Sequence, residues 1–152
     1  MFFNYKALEE AKKDGIEKFV VGAVISKDER LLILLRKPDD FLGGIYELPG
    51  GGVEKGETIK EGLEREVKEE TSFNVKNVNK YLGHFDYISE KGKKSRQFNF
   101  DVDVFDSSNI KLTEHDDYKW IKKEELRNYD VSDLTKLVIQ KVFAEIDKKK
   151  FD

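Results

Sequence analysis

Three glutamates in the middle of the chain, Glu66, Glu69 and Glu70, have the spacing of groups that meet on one side of a helix. At about 3.6 residues per turn, Glu66 and Glu70 fall within the arc of the helix's apolar residues, and Glu69 falls at its edge. Such charges repel each other, and a carboxylate turned toward a core loses hydration, at a cost on the order of several kcal/mol unless it is paired. A divalent cation would neutralise them, so the pattern predicts metal chemistry. The alternative is a solvated, glutamate-rich helix in a chain that is 39% charged.

The helix that must position these carboxylates is predicted to run from Thr58 to about Thr71. Thr58 followed by Glu61 is the Ser/Thr-x-x-Glu signature of a capped helix N-terminus. The apolar stripe of this helix consists of Ile59, Leu63 and Val67. The three glycines at 50–52 precede it, and they would allow the backbone to approach a ligand closely with a carbonyl pointing inward.

The other elements are predicted from apolar runs, alternation and turn residues. The predicted strands are Phe19–Ile25, Leu31–Leu35, Ile45–Leu48, Tyr81–Ile88, Ser95–Phe105 and Lys119–Ile121, and in the fifth of them the residues Phe98, Phe100, Val102 and Val104 form a core face. The predicted helices are a weak one at Tyr5–Lys13, a turn at Lys123–Arg127 and a final helix capped by Ser132, whose stripe is Leu134, Leu137, Val138, Val142 and Ile146. With no internal repeat or linker, these elements predict a single α/β domain over residues 1–152.

Composition excludes several classes of function. The chain has no cysteine, which rules out disulfides, zinc-thiolate sites and a cysteine nucleophile. A formal net charge of -3 argues against general nucleic-acid binding through a basic surface. The N-terminus lacks the features of a secretory signal, and no segment approaches a membrane span, so a soluble, cytoplasmic protein is expected.

The run LPGGGVEKGETIKEGLEREVKEETSF, from Leu48 to Phe73, resembles the Nudix box of the Nudix hydrolases. The matching positions, spread over more than twenty residues, are Gly51, Glu57, Arg65, Glu66, Glu69, Glu70 and the apolar Phe73, with the lead-in Leu48-Pro49-Gly50. One position departs, because Ser72 stands where the family usually has glycine. Glycine there would end the helix in a left-handed conformation, so serine is expected to cost about 1 kcal/mol or to require a different cap.

The resemblance implies a fold, a cofactor and a set of site residues. The fold would be an α/β/α sandwich with a mixed β-sheet between helices, and the metal Mg²⁺, with Mn²⁺ as a substitute. The metal ligands would be Glu66, Glu69, Glu70 and the carbonyl of Gly50, while Arg65 would pair with Glu57 and Gly51 would be structural. Glu114, in a loop ahead of Trp120, matches a further carboxylate that serves the family as ligand or general base, with Asp116 and Asp117 as rivals.

Two cations and one histidine outside the box each have alternative roles. Arg36 and Lys37, at the end of the second predicted strand, are candidate phosphate contacts, although Arg36 also fits a simple strand-end charge. His115 is expected to be a solvent-facing or packing residue rather than a base.

The activity that the resemblance implies is Mg²⁺-dependent hydrolysis of a diphosphate linkage in a nucleoside diphosphate linked to a moiety X, with a (modified) nucleoside triphosphate preferred. Dinucleoside polyphosphates and nucleotide sugars are alternative substrates, and homodimerisation is common in the family. Isopentenyl diphosphate isomerases depend on a cysteine that this chain lacks, and ADP-ribose pyrophosphatases usually carry a proline after the box, whereas Pro38 and Pro49 both precede it. The alternatives of another class are a nucleotide sensor without turnover and a component of a larger assembly that recognises a protein partner.

Overall fold

A computed structural model describes residues 5–151. The two ends of the predicted domain, residues 1–4 and 152, lie outside the described part. The first of these ranges also begins the N-terminal segment that lacks the features of a secretory signal. The strands are β1 (Lys18–Lys27), β2 (Arg30–Arg36), β3 (Tyr46–Glu47), β4 (Gly50–Gly52), β5 (Val75–Ile88), β6 (Lys94–Val104) and β7 (His115–Ile121). The helices are α1 (Tyr5–Lys13), α2 (Ile59–Thr71) and α3 (Asp133–Lys150), with a 3-10 helix at Lys123–Asn128.

Strand β1 connects the two halves of a mixed sheet. Along most of its length it pairs in parallel with β6 and antiparallel with β4, and β5 pairs antiparallel with β6. At its end, through Ser26 and Lys27, β1 pairs with β2, which in turn holds β3 and β7. The β1–β6 pairing is parallel and the others are antiparallel, so the predicted mixed sheet is confirmed.

Both faces of the sheet are covered by helices, because its strands are apolar on both sides. On β2, Leu32 and Leu34 belong to the core under α1 and α2, whereas Leu31 and Ile33 belong to the core under α3. The predicted α/β/α sandwich is therefore confirmed. Phe73 at the end of the box is fully buried and stacks on Trp120 with ring centroids 6.4 Å apart.

Helix α2 begins as its sequence predicts. Thr58 accepts a hydrogen bond from the backbone N–H of Glu61, and the Glu61 side chain accepts one from the Thr58 backbone N–H. The helix ends at Ser72, which takes the left-handed conformation (φ 71°) that a glycine would adopt at this position. The serine therefore retains the family's helix ending at a conformational cost of about 1 kcal/mol.

Several predicted boundaries were wrong. The glycines at 50–52 form a strand because β1 supplies hydrogen-bonding partners along them, and tertiary pairing here overrides their weak strand propensity. Strand β5 begins at Val75 rather than Tyr81, and β7 begins at His115 rather than Lys119. Within residues 5–151, no helix has the length and apolar character needed to cross a membrane.

The predicted apolar stripe of α3 was also wrong in part. Leu134 and Leu137 are 45% and 57% exposed, and the buried face consists of Thr135, Val138, Ile139, Val142 and Phe143. Leu134 instead lines a large cavity beside the glycine strand β4.

Candidate functional site

Helix α2 presents its carboxylates beside β4 while its apolar residues anchor it on the sheet. Ile59, Leu63 and Val67 are buried. On the same side, the Glu66 and Glu70 side chains are only 12% and 5% exposed, whereas Glu69 is 55% exposed. The placement inferred from helical periodicity thus agrees with the structure.

Arg65 is the cation that organises this group. Its Nε and Nη2 atoms donate to the two carboxylate oxygens of Glu57 at 2.7 and 2.9 Å, the pairing that the resemblance implied. Nη1 donates to Glu66 at 2.8 Å and to Glu69 at 3.2 Å, and Nη2 also donates to the carbonyl of Gly52 at 2.9 Å. The hydrogen bonds from Arg65 hold the pKa of Glu57 down at about 2.

The glycine strand lies against the same carboxylates. The backbone N–H of Gly50 donates to Glu70 Oε1 at 2.7 Å. A β-carbon on Gly51 would lie 2.5 Å from the carboxylate carbon of Glu66, which is closer than real β-carbons approach other atoms. Gly51 is therefore required for the close approach of the strand to the helix.

The two inner glutamates, Glu66 and Glu70, have raised pKa values because they are buried without a full countercharge. Burial raises the pKa of Glu70 to about 9, assisted by the charges of Glu47, Glu66 and Glu114 and opposed by the Gly50 hydrogen bond. Burial also raises the pKa of Glu66, although Arg65 opposes the change. A bound cation would favour the ionised form of both carboxylates.

A second chain of contacts centres on Glu47, a residue that sequence reasoning missed. Glu47 of β3 accepts from Arg36 Nη1 at 3.2 Å and lies 2.7 Å from His115 Nε2. The other ring nitrogen of His115, Nδ1, lies 3.6 Å from Glu70 Oε2 and makes no hydrogen bond within residues 5–151. His115 is buried, with a side chain 3% exposed, so the packing alternative describes it better than solvent exposure.

Of the two candidate phosphate contacts, Arg36 is already engaged. Besides its contact with Glu47, its Nε donates to the carbonyl of Phe41 at 2.6 Å. Arg36 and Lys37 both line the cavity described below. Arg36 therefore reaches the site while fixing the loop that follows β2.

Glu114 lines the cavity together with Glu66 and Glu70, whereas its two rivals do not. Its charge contributes to the raised pKa of both Glu66 and Glu70. The hydroxyl of the preceding Thr113 donates to the backbone carbonyl of Glu69 at 3.0 Å and ties the Glu114 loop to α2. Asp116 and Asp117 belong to β7, and Asp117 pairs with Lys119 at 3.5 Å.

These groups open into one cavity of about 740 Å³, a volume in the range of small-molecule sites. Its lining includes five carboxylates, those of Glu47, Glu66, Glu69, Glu70 and Glu114. It also includes apolar and aromatic side chains, among them Phe41, Leu48, Phe85, Tyr87 and Leu134. A ligand with an anionic part and a planar apolar part fits this mixed lining when a cation screens the carboxylates.

The donor set suits a hard divalent cation. Carboxylate and carbonyl oxygens are the ligands that Mg²⁺ and Mn²⁺ prefer, and Mg²⁺ retains several waters, so few protein ligands suffice. Within residues 5–151, no three acidic or histidine side chains already converge as a metal cage. Arg65 lies between Glu66 and Glu69 and partly neutralises them.

Comparison with known proteins agrees with this architecture. The model of the NUDIX domain family matches residues 17–141. The nucleoside triphosphatase NudI of Klebsiella pneumoniae is 33% identical over 135 residues, covering 81% of this chain and 94% of that protein. An ADP-ribose pyrophosphatase of Methanocaldococcus jannaschii is 44% identical over only 63 residues, which are 41% of this chain and 36% of that protein.

Among solved structures, a MutT protein from Methanosarcina mazei superposes with a TM-score of 0.71 at 27% identity and covers 86% of this chain and 95% of its own. A NUDIX hydrolase from Nitrosomonas europaea superposes with a TM-score of 0.70 at 25% identity, covering 84% and 89%. The family match extends over most of the chain, well beyond the box itself. On the sequence match, the shared fold and the box residues together, this chain belongs to the NUDIX domain family.

Proposed function

We propose that this protein is a Mg²⁺-dependent pyrophosphohydrolase that cleaves a diphosphate linkage in a nucleoside diphosphate-X substrate, with a nucleoside triphosphate, standard or modified, as the preferred class. The observation that carries the proposal is the convergence of Glu66, Glu69, Glu70 and Glu114 on one cavity of nucleotide size. The nucleoside triphosphatase among its relatives, which matches over 94% of its own length and 81% of this chain, favours a triphosphate. The short match to an ADP-ribose pyrophosphatase makes ADP-ribose the comparison substrate.

In this proposal the oxygen ligands of the metal are Glu66, Glu69, Glu70 and the carbonyl of Gly50. Bound Mg²⁺ would supply Lewis acidity and neutralise phosphate charge, and Mn²⁺ would substitute for it. Arg65 holds Glu57, Glu66 and Glu69 in fixed positions through its hydrogen bonds. Lys37 and Arg36 at the cavity wall provide positive charge for the phosphates.

The proposed chemical step is an in-line displacement at phosphorus. Glu114 accepts a proton from the attacking water, whose oxygen forms the new bond to phosphorus. The anhydride P–O bond breaks, and its electron pair remains on the leaving phosphate oxygen. Glu114 suits the base role because it lines the same cavity as the buried carboxylates, and the preceding Thr113 ties its loop to α2.

The test is Mg²⁺-dependent release of phosphate or pyrophosphate over a panel of nucleoside triphosphates, ADP-ribose, nucleotide sugars and dinucleoside polyphosphates. Glu69→Gln should reduce turnover at least about a hundredfold, because a metal ligand is lost. Glu64→Gln is the matched control, because Glu64 lies on the same helix and, among residues 5–151, forms an ion pair only with Lys60, at 3.7 Å. Tight nucleotide binding without turnover in the wild type would instead identify a sensor.

A further inference from the structure

Beyond the carboxylates, one face of the sheet forms the floor of the same cavity. Strand register across β4, β1, β6 and β5 places Gly52, Val20, Gln97 and Phe85 in one row. The next row consists of Gly50, Gly22, Asn99 and Gly83. Residues paired across strands present their side chains on the same face, so Gln97 lies between Val20 and Phe85, and Asn99 lies between two glycines, Gly22 and Gly83.

The orientation of the buried Asn99 amide is fixed by its surroundings. Asn99 is fully buried, and its Nδ2 donates to the backbone carbonyls of Gly83 at 3.3 Å and Gln97 at 3.4 Å. The reversed orientation would direct Oδ1 at two carbonyl oxygens, which offer no hydrogen. Asn99 Oδ1 is therefore the acceptor of the pair.

That acceptor sets the orientation of Gln97 in turn. Gln97 Nε2 donates to Asn99 Oδ1 at 2.8 Å, so the amide nitrogen of Gln97 faces the sheet floor. Its Oε1 accepts no hydrogen bond from any of residues 5–151, and Gln97 lines the cavity. An oriented acceptor, with a second N–H beside it, is thus available to a ligand.

Gly22 provides the space for this amide pair. A β-carbon at Gly22 would lie 2.5 Å from Gln97 Nε2 and 2.6 Å from Asn99 Oδ1. Any other residue would displace the two amides from the floor. Gly22 thus interrupts a buried apolar strand at the position where a side chain would displace the amides of Gln97 and Asn99.

Around Gln97 the wall is apolar and aromatic. Phe85 is its cross-strand neighbour, and the rings of Phe85 and Tyr87 lie 6.3 Å apart between centroids. Leu134, exposed to solvent where periodicity predicted core, lines the same cavity. One oriented amide among flat apolar surfaces is the combination that recognises a planar heterocycle with an N–H donor on its edge.

We propose that Gln97, oriented by Asn99, is the residue that reads the base of the nucleotide, accepting a hydrogen bond from an N–H of the base through Oε1. The inference rests on the proposed function, because it assumes a nucleotide in the cavity. Since Gln97 belongs to strand β6 of the sheet floor and Glu66, Glu69 and Glu70 belong to helix α2, loss of Gln97 should weaken recognition of the nucleoside and leave recognition of the phosphate chain intact.

The experiment measures binding rather than turnover. Nonhydrolysable α,β-methylene nucleoside triphosphates and inorganic tripolyphosphate are titrated with Mg²⁺ into the wild type and into Gln97→Met, an unbranched replacement of similar length. The Kd for the nucleotide that the wild type binds best should rise about tenfold, the effect of one lost hydrogen bond. The Kd for tripolyphosphate should stay within about twofold.

Gln140→Met is the matched control, because Gln140 is an exposed residue of α3 outside this cavity. It should change neither Kd. If Gln97→Met is poorly folded, Gln97→Leu replaces it, and thermal unfolding identifies the variant that retains the native transition. An unchanged nucleotide Kd, or an equal loss for tripolyphosphate, would overturn the assignment of Gln97.

The result is separable from the proposed function. A wild type that binds nucleotides through Gln97 but hydrolyses none of the panel would contradict the hydrolase and retain this inference. Nucleotide hydrolysis in which KM and kcat are both unchanged by Gln97→Met would retain the hydrolase and remove this inference.

Discussion

Gly51 faces the carboxylate of Glu66 so closely that an added β-carbon would lie 2.5 Å from it. Gly51→Ala should displace Glu66, and because supporting contacts typically change metal affinity or activity about 10- to 100-fold, a loss in that range is expected. Mn²⁺ titration and the rate of nucleotide hydrolysis measure it. Gly92→Ala is the control, because Gly92 lies in the turn between β5 and β6, outside the cavity, and a β-carbon there would meet no described atom within 4 Å. Equal effects of the two variants would contradict a specific role for Gly51.

Arg65 holds its acidic neighbours through geometry as well as charge. Arg65→Lys keeps the positive charge but loses the two-pronged contact with Glu57, so unfolding free energy should fall by about 1–3 kcal/mol and hydrolysis should slow. Denaturant titration and initial rates measure the two effects. Arg127→Lys, at an exposed position of the 3-10 helix, should change neither. A fully active Arg65→Lys protein would show that a positive charge at position 65 is sufficient for hydrolysis without the two-pronged contact.

The stability of the protein should increase when the left-handed residue at the end of α2, Ser72, is replaced by glycine. Ser72 has a φ of 71°, so Ser72→Gly should raise the free energy of unfolding by about 0.5–1 kcal/mol, because glycine adopts this conformation without steric cost. Ser72→Ala removes the hydroxyl but keeps the β-carbon, and it should give no gain. Thermal unfolding compares the three proteins, and equal melting temperatures would refute the strain at this position.

Asp101 on β6 gives a pH dependence away from the carboxylate site. Burial raises the pKa of Asp101, and the nearby charge of Asp103 adds to the effect. The folded state therefore binds a proton that the unfolded state releases, so this carboxyl lowers stability as pH rises above its ordinary pKa of 3.8.

Asp101→Asn should accordingly stabilise the protein at pH 7 and make no difference at a pH below 3.8, where both states are protonated. Urea unfolding at the two pH values measures this difference. Asp103→Asn, at an exposed position, should give a smaller gain, because it relieves only the repulsion. A gain from Asp101→Asn that is independent of pH would contradict the explanation.

Local sequence signals predicted the helix α2, since capping residues and helical periodicity act within a short stretch, whereas the pairing of Arg65 with Glu57 was implied by the family resemblance. The pairing of Glu47 with His115 joins residues 68 positions apart, and only strand pairing through β2 brings them together. The sequence signal that could have identified Glu47 is that it is a charged residue within the short predicted strand Ile45–Leu48. Periodicity also cannot distinguish a leucine that faces a cavity from one that faces the core, which explains the error at Leu134.

The proposed chemistry requires a divalent cation among the carboxylates of α2, and calorimetric titration of Mn²⁺ into metal-free protein tests this requirement most directly. The comparison is between the wild type, the triple variant Glu66→Gln/Glu69→Gln/Glu70→Gln and the control Glu64→Gln. Saturable binding by the wild type and the control, lost in the folded triple variant, is the predicted result. Undiminished Mn²⁺ binding by the triple variant, or no binding by the wild type, would contradict the account.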